Sequence, residues 1–562
     1  MCDPSLRIQE ILATPEHICI HPSQPISGET CIVHVQIPTV CGNSKADFTP
    51  GRILASFSVV CEENCLAIPR VCSDWDAITC RFLVEKDGER LPGVCYVTQV
   101  APEVSVSHEQ PSHRPLKSIG LSSRIADFQT VVDDAAALNI RQCIGGFSQP
   151  ASMAMPDTPD TTPFVSNGKT YHFKNAVIRK LDSYMRPMAK LGAHALLRHH
   201  NDPFYYGLMA DEGIVDTIIH PDYDYDCPST FISAFNLRTE EGVGHFIACL
   251  EFFLSRYAAG DPEHGLSFGM EIGNEVNSAY IWNNAGEMDV NGAMLEYTSV
   301  MRIAWLVARK YNEHFRIYGS FDQYFDGVHI PDQPLRFYSM KDCFKAIMAH
   351  CRAEGDFPWN VAIHPYPENL RYPDFWNDRS PDWRFDTERI TFKNIEVLPA
   401  WLAREEMLYQ GEPRHIALTE EGLNTRPEQP YTGTQSKYAY VLAYLKLRKL
   451  DTVDIFQYYP YMDNPWEFGL NLGLRHFGHY TETQDQVPGD PKPVYYAIQA
   501  MDSPAEEAIV EEARQYIGPD IFDYTLNPPT VAEALPVSGD LDLPASGINN
   551  QRARDALARR QK

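Results

Sequence analysis

The stretch LSFGMEIGNEVN, residues 266–277, sets an apolar run from Leu266 to Ile272 directly against Gly273-Asn274-Glu275-Val276-Asn277. A short apolar run with few turn residues reads as a strand buried on both faces, and the polar residues that follow mark its emergence at a rim. The same grammar recurs twice. His415 to Thr419 runs into Glu420-Glu421-Gly422, and Asn360 to Ile363 runs into His364-Pro365-Tyr366. If these strands are parallel, their ends bring two carboxylates, an amide, an imidazole and a phenol to one side of a sheet.

Working outward from that core, the chain from about residue 118 alternates strands with amphipathic helices. Lys174 to Leu191 has helical spacing and stops at Gly192, a residue suited to the left-handed C′ position. Thr239 can cap a helix whose first turn carries Glu240 and Glu241 and whose inner face carries Phe246, Leu250, Phe253 and Leu254. Further helices are expected at Asp289 to Tyr311 and near 340–353, 394–410 and 434–449. Further strands are expected at Ala193 to Leu197, Phe315 to Ser320 and Val453 to Tyr458. Repeated β-α units imply a parallel sheet, and this many of them favour closure into a (β/α)8 TIM barrel over 118–502, with an open doubly wound sheet as the alternative.

Residues 1–105 read differently. Runs such as TCIVHVQI (30–37), ILASFSVV (53–60) and AITCRFLV (77–84) alternate between turn residues, which suggests a β-sandwich-like accessory domain. A polar linker is expected at 106–117. After residue 503 a short acidic helix (Glu506 to Tyr516) should lead into a tail from 525 to 562, too poor in large apolar groups to order itself.

The formal charge of −27 repels phosphate backbones and anionic lipid, which argues against nucleic acid and membrane partners. No apolar run approaches the roughly 20 residues of a membrane span. The opening MCDPSLRIQE has no basic segment followed by an apolar core, so the chain as written is expected to be cytoplasmic, with secretion not excluded. Nine cysteines lie within the first 95 residues. Buried strand thiols are the expected reading, with disulfides or a zinc site at Cys61 and Cys65 as alternatives.

Two carboxylates meeting across a pocket from separate strands are what glycoside hydrolysis needs. One must be protonated to serve the leaving oxygen, the other ionised to attack the anomeric carbon. Glu275 and Glu420 are the candidates for catalysis, with no cofactor and no metal required. Asn274, His364, Tyr366, Asn277, Trp282, Tyr458, Trp466 and His200 are candidates for contacting an oligosaccharide or glycoside substrate. A Glu421 that faces the pocket would move the nucleophile by one residue. His199-His200-Asn201-Asp202 also raises a metal-dependent hydrolase as a rival, and a non-catalytic carbohydrate-binding protein is another. Asp222, Asp224 and Asp226 resemble a calcium loop superficially but lack its Gly and closing Glu.

SFGMEIGNEVN (267–277) resembles the fourth-strand Asn-Glu motif of the retaining barrel glycosidases of clan A, and HIALTEEG (415–422) resembles their seventh-strand nucleophile motif. That resemblance implies Glu275 as acid/base, Asn274 as the contact to the sugar 2-hydroxyl and Glu420 as nucleophile. It also implies that the Tyr366 hydroxyl bonds the nucleophile. Glu421 departs from the pattern, which often has an aromatic or amide there. More narrowly, GNEVNSAYIWNNAG (273–286), YGSFDQYF (318–325), HPYPENL (364–370) and the stretch from Tyr458 through Trp466 to Leu474 look like a barrel family known only as a domain of unknown function. This likeness covers most of 118–500. The oligomeric state is not legible.

Overall fold

The computed structural model describes residues 5–43, 48–110, 116–121, 125–126, 128–203, 211–261 and 263–533. Eight parallel strands close into a barrel in chain order: β1 (Lys117–Gly120), β2 (Gln142–Ser148), β3 (His194–His200), β4 (Ser267–Ile272), β5 (Arg316–Asp322), β6 (Trp359–His364), β7 (Ile416–Leu418) and β8 (Val453–Tyr458). The ring is sealed where Ser118 of β1 pairs with Gln457 of β8. Each strand leads to a helix on the outside: α1 (Phe128–Ala137), α2 (Asn175–Lys190), α3 (Glu240–Tyr257), α4 (Val290–Tyr311), α5 (Met340–Glu354), α6 (Val397–Leu402), α7 (Tyr431–Leu447) and α8 (Pro493–Ala500). The (β/α)8 barrel is therefore complete.

Every residue of β4, β6 and β8 is buried, because one face packs on helices and the other on the barrel interior. Ile144, Leu196, Phe268, Tyr318, Ala362, Ala417 and Ile455, drawn from seven strands, form a separate apolar plug. Two residues further along come Arg198 of β3, Ser320 of β5, His364 of β6 and Thr419 just past the end of β7, and β4 adds Glu271. A polar layer thus lies directly on the apolar plug. The expected Thr239 cap is present, its side chain accepting from Gly242 N at 3.0 Å.

Residues 5–105 make two four-stranded sheets. Ile8–Ala13, His17–Pro22, Leu66–Pro69 and Gln99–Val100 form one. Thr30–Gln36, Ile53–Val60, Arg81–Lys86 and Glu89–Arg90 form the other. Ile11, Ile18 and Ile20 from the first and Cys31, Val33 and Val35 from the second share a core, and Cys61, Cys72, Cys80 and Cys95 are buried free thiols. This unit is fastened to the barrel through Arg302 of α4, which pairs with Glu354 at 3.0 Å and lies 4.6 Å over the Tyr96 ring.

Three boundaries depart from the sequence reading. Lys117, assigned to the linker, begins β1; its buried ammonium donates to the carbonyls of Met501 and Leu138, which a polar-residue count does not anticipate. The helix expected across 394–410 is only Val397–Leu402. The tail expected from 525 is held for several residues more. A helix α9 (Glu506–Ile517) is followed by α10 (Pro519–Leu526), Lys446 of α7 donates to Thr525 O at 2.6 Å, and Ala532 N donates to Trp383 O at 2.9 Å. Residues 534–562 lie outside the described residues. No helix among the described residues is long and apolar enough to cross a membrane.

The loop after β8 is tied down at both ends. Asp134 of α1, which is buried, accepts two bonds from Arg475 at 2.6 and 2.8 Å, one from Tyr495 at 3.0 Å and one from Tyr461. Buried Asp463 takes Lys492 Nζ at 2.7 Å and Gly473 N at 2.8 Å. Removing a partner from a buried pair strands the other charge. Asp134→Ala is expected to lower stability by about 3 kcal/mol, read as a fall in the urea midpoint; an unchanged midpoint would show that the network does not anchor this loop.

Candidate active site

The rim above the polar layer opens into a cleft of about 1140 Å³ lined by Glu275, Glu420, Asn274, His364, Tyr366, Arg198 and His200, among others. Beneath it, behind the lining residues Arg198 and His364, lies Glu271, which is fully buried on β4. Arg198 Nε donates to Glu271 Oε2 at 3.0 Å, and Ser320 Oγ and Thr419 Oγ1 donate to Oε1 at 2.7 and 2.9 Å. These donors and the cations Arg198 and His364 outweigh burial and drive the Glu271 carboxyl well below its ordinary pKa. The same carboxylate pushes Arg198 upward against the effect of burial, so the guanidinium stays charged.

His364 connects this floor to the rim. Its Nε2 lies 3.2 Å from Glu271 Oε1 and 3.2 Å from Thr419 Oγ1, and its Nδ1 lies 2.9 Å from Glu275 Oε1. Burial disfavours the imidazolium, but Glu420, Glu271 and Glu275 prevail and raise its pKa to about 10. Both ring nitrogens then donate.

Glu275 leaves β4 through a sharp turn. Gly273 has φ 73° and Glu275 itself has φ 40°, a left-handed conformation that L residues seldom adopt. The turn is held by Ser320, whose Oγ accepts from Glu275 N at 3.1 Å and whose carbonyl accepts from Val276 N at 2.9 Å. Burial raises the Glu275 carboxyl above its ordinary pKa; Asp322 and Glu420 add to this and His364 opposes it. Oε1 accepts from His364, which leaves Oε2 as the oxygen free to carry a proton.

Glu420 faces Glu275's cleft with different neighbours. Tyr366 OH donates to its Oε1 at 2.9 Å, and Arg198 Nη1 lies 3.5 Å from its Oε2. Glu421 turns the other way, as successive strand residues do. It is fully buried, does not line the cleft, and neither carboxyl oxygen has a hydrogen-bond partner. Burial raises its pKa far above the ordinary value, so it is a neutral acid.

Of the other candidates, Asn274, His200, Trp282 and Trp466 line the cleft. Asn277 and Tyr458 do not, which corrects the sequence reading. Asn277 is buried behind the rim, where its amide bonds Asp322 and its Oδ1 accepts from Asp322 N at 2.9 Å. Tyr458 is core, packed edge-on against Tyr440 at 6.1 Å, while the next residue, Tyr459, lines the cleft. His199 and His200 point apart. His199 is buried among Phe147, Phe235 and Phe246, and burial lowers both imidazoles to about 3. Among the described residues the one cluster with metal-ligand spacing is Asp261, Glu263 and His264, none of which lines the cleft.

Several contributors escaped sequence reasoning: Arg198, Glu271, Asp322, Tyr459, Glu467 and the exposed ring of Phe468. Glu467 lines the cleft, accepts from Asn464 Nδ2 at 2.9 Å, and is raised to about 7 by burial and by Glu420. Arg198 and Glu271 did carry a signal, a lone charge inside an otherwise apolar strand.

Fold and cleft together define a (β/α)8-barrel protein with paired glutamates at the C-terminal rim. Residues 113–524 match the model of a family described as a family of unknown function, DUF5722, and the chain belongs to that family. No curated protein matches the sequence. Among solved structures the chain is similar to a family 39 glycoside hydrolase from Bacteroides cellulosilyticus WH2, at 13% identity and TM-score 0.43, covering 89% of this chain and 83% of that one. It is also similar to a glucosidase from Croceicoccus marinus (10% identity, TM-score 0.42, 72% and 70% covered). A β-glucosidase from Thermotoga maritima in complex with castanospermine aligns at 13% identity and TM-score 0.38, covering 67% and 86%.

The raised pKa of His364 fixes a sign for stability against pH. Its protonation stabilises the fold fully below the ordinary value of 6.5, and that contribution is lost as pH rises through about 10. Urea unfolding between about pH 6 and about pH 10 should therefore show a steeper loss for the wild type than for His364→Gln. Parallel profiles would rule out a charged His364.

Proposed function

We propose that this protein is a retaining glycoside hydrolase that cleaves O-glycosidic bonds by double displacement. The reading is carried by one observation: two glutamates lining the same cleft have opposite surroundings. Glu275 is desolvated and raised, which suits an acid, whereas Glu420 is gripped by cationic Arg198 and the Tyr366 hydroxyl, which suits an attacking carboxylate.

In this mechanism Glu420 attacks the anomeric carbon while Glu275 passes its Oε2 proton to the departing oxygen. A glycosyl ester on Glu420 results. Water then gives a proton back to Glu275 and attacks the same carbon, which releases the sugar and restores Glu420. His364, charged and bonded to Glu275 Oε1, holds the acid's orientation in both steps. Asn274, which lines the cleft, bonds the sugar 2-hydroxyl in this reading, a contact that strengthens as the ring approaches an oxocarbenium ion. The substrate is an oligosaccharide or glycoside. The metal-dependent alternative loses its ligand set, because His199 is enclosed by aromatic rings away from His200.

Glu275→Gln and Glu420→Gln are each expected to reduce kcat/KM by at least about a thousandfold on an alkyl glycoside or glycan of the sugar found by screening a panel of aryl glycosides and glycans. On a glycosyl fluoride, whose leaving group needs no proton, Glu275→Gln should lose far less. Near-normal activity of either variant on the alkyl glycoside or glycan refutes the assignment. A 2-deoxy-2-fluoro glycoside should label Glu420, and proton NMR of the first-formed product should show retained anomeric configuration. A label elsewhere, or inversion, overturns the mechanism.

A further inference from the structure

Among the described residues, the cleft holds an unusual share of the exposed aromatic surface. Trp466 is 74% exposed, Phe468 64% and Phe231 39%, and all three line the same cleft as the glutamates. Solvent-facing rings gathered in one concavity mark a binding surface rather than scattered surface apolarity. The rings are also organised. Phe231 stacks on Trp282 with centroids 5.1 Å apart and planes 22° apart, and Phe468 meets Phe231 edge-on at 6.0 Å.

Their attachment places them relative to the chemistry. Trp282 ends the short helix Ala279–Trp282 in the loop that carries Glu275, and Phe231 N donates to Ile281 O of that helix at 2.8 Å. The Phe231–Trp282 pair is therefore built onto the acid's own loop. Phe468 reaches it from the loop after β8, whose two ends are fixed by Asp134 and Asp463. A general acid stands on the side from which the leaving group departs.

The character of the surface narrows the ligand. A pyranose stacks on one open, flat ring face and has its hydroxyls bonded at the edges. Here one face of Phe231 and one of Trp282 are spent on each other, and Phe468 adds an edge. Leu370, Met462 and Leu470 add apolar side chains to the same lining, alongside the polar Asn464 and Glu467. Such a contoured apolar surface fits hydrocarbon better than hydroxyl-bearing carbon.

We propose that the leaving group of the natural substrate is an apolar, non-sugar aglycone, of alkyl or aryl type, seated against Phe231, Trp282 and Phe468. This rests on the glycosidase reading for its orientation, with Glu275 as acid. Hydrophobic contact acts on binding of the aglycone, so it appears as a lower KM as the apolar group lengthens.

The test compares n-methyl and n-octyl glycosides of whichever sugar is turned over, since both alcohols leave with similar intrinsic difficulty. The octyl glycoside should have a kcat/KM at least about tenfold higher, given the ~0.8 kcal/mol gained per buried methylene. Phe231→Ser and Phe468→Ser, both at exposed positions, should each reduce that octyl-to-methyl ratio severalfold. An unchanged ratio in both variants overturns the proposal. So does a disaccharide of the same sugar that gains as much as the octyl glycoside, since the surface would then be a sugar subsite. A second arm does not depend on hydrolysis. Binding of 2-naphthol, followed by quenching of tryptophan fluorescence and by calorimetry, should be seen in wild type and weakened in Phe231→Ser. If no glycoside is cleaved but 2-naphthol binds and Phe231→Ser weakens it, the surface stands and the glycosidase reading fails. If glycosides are cleaved without 2-naphthol binding or octyl preference, the aglycone proposal alone fails.

Discussion

The ion pair between Arg198 and Glu271, sealed inside the barrel two residues above its apolar plug, organises everything around it. Burying two charges is expensive and is tolerated only when the remaining lone pairs and protons are also satisfied. Here they are: Glu271 receives Arg198, Ser320, Thr419 and His364, while Arg198 also reaches Thr419 O at 2.7 Å and Glu420. Five of the eight strands contribute to this cluster. Moving any one of them relative to the others would strand a buried charge, so the closed barrel and the polar layer enforce each other.

That layer also explains why the two rim glutamates differ despite sharing a cleft. Arg198 and His364 bring two positive charges, and Glu271 and Glu420 answer them. Glu275 is then the surplus carboxyl, desolvated and close to Asp322 and Glu420, and its pKa is held above the ordinary value. The contrast between the two glutamates is thus set one layer below them. It follows from counting charges in a space too small and dry to screen them.

The buried neighbour Glu421 follows the same logic by the opposite route. With no hydrogen-bond partner and no access to the cleft, it avoids the desolvation cost by remaining protonated. On the far side of the cleft, the Asp134–Arg475 and Asp463–Lys492 contacts hold the loop that displays Trp466, Glu467 and Phe468. Rings presented to solvent on a fixed loop keep their shape for a ligand, with little ordering left to do on binding.

Local sequence determined the elements and their order. Apolar runs such as Leu266 to Ile272 and Val453 to Tyr458 read as strands buried on both faces, and the helices between them imply parallel pairing, with closure favoured over an open sheet by the number of units. The same logic placed Glu275, Glu420, Asn274 and Tyr366 at a common rim, because residues just after parallel strands share one end of a barrel. Side-chain direction and burial were decided only in three dimensions. Asn277 and Tyr458 sit one or two positions from true lining residues, yet the turn at Glu275 and the exit of β8 aim them inward. Arg198 and Glu271 lie in different strands, and nothing local says that two isolated charges 73 residues apart will meet. Pairing of that kind depends on barrel register, a long-range property set by all eight strands at once.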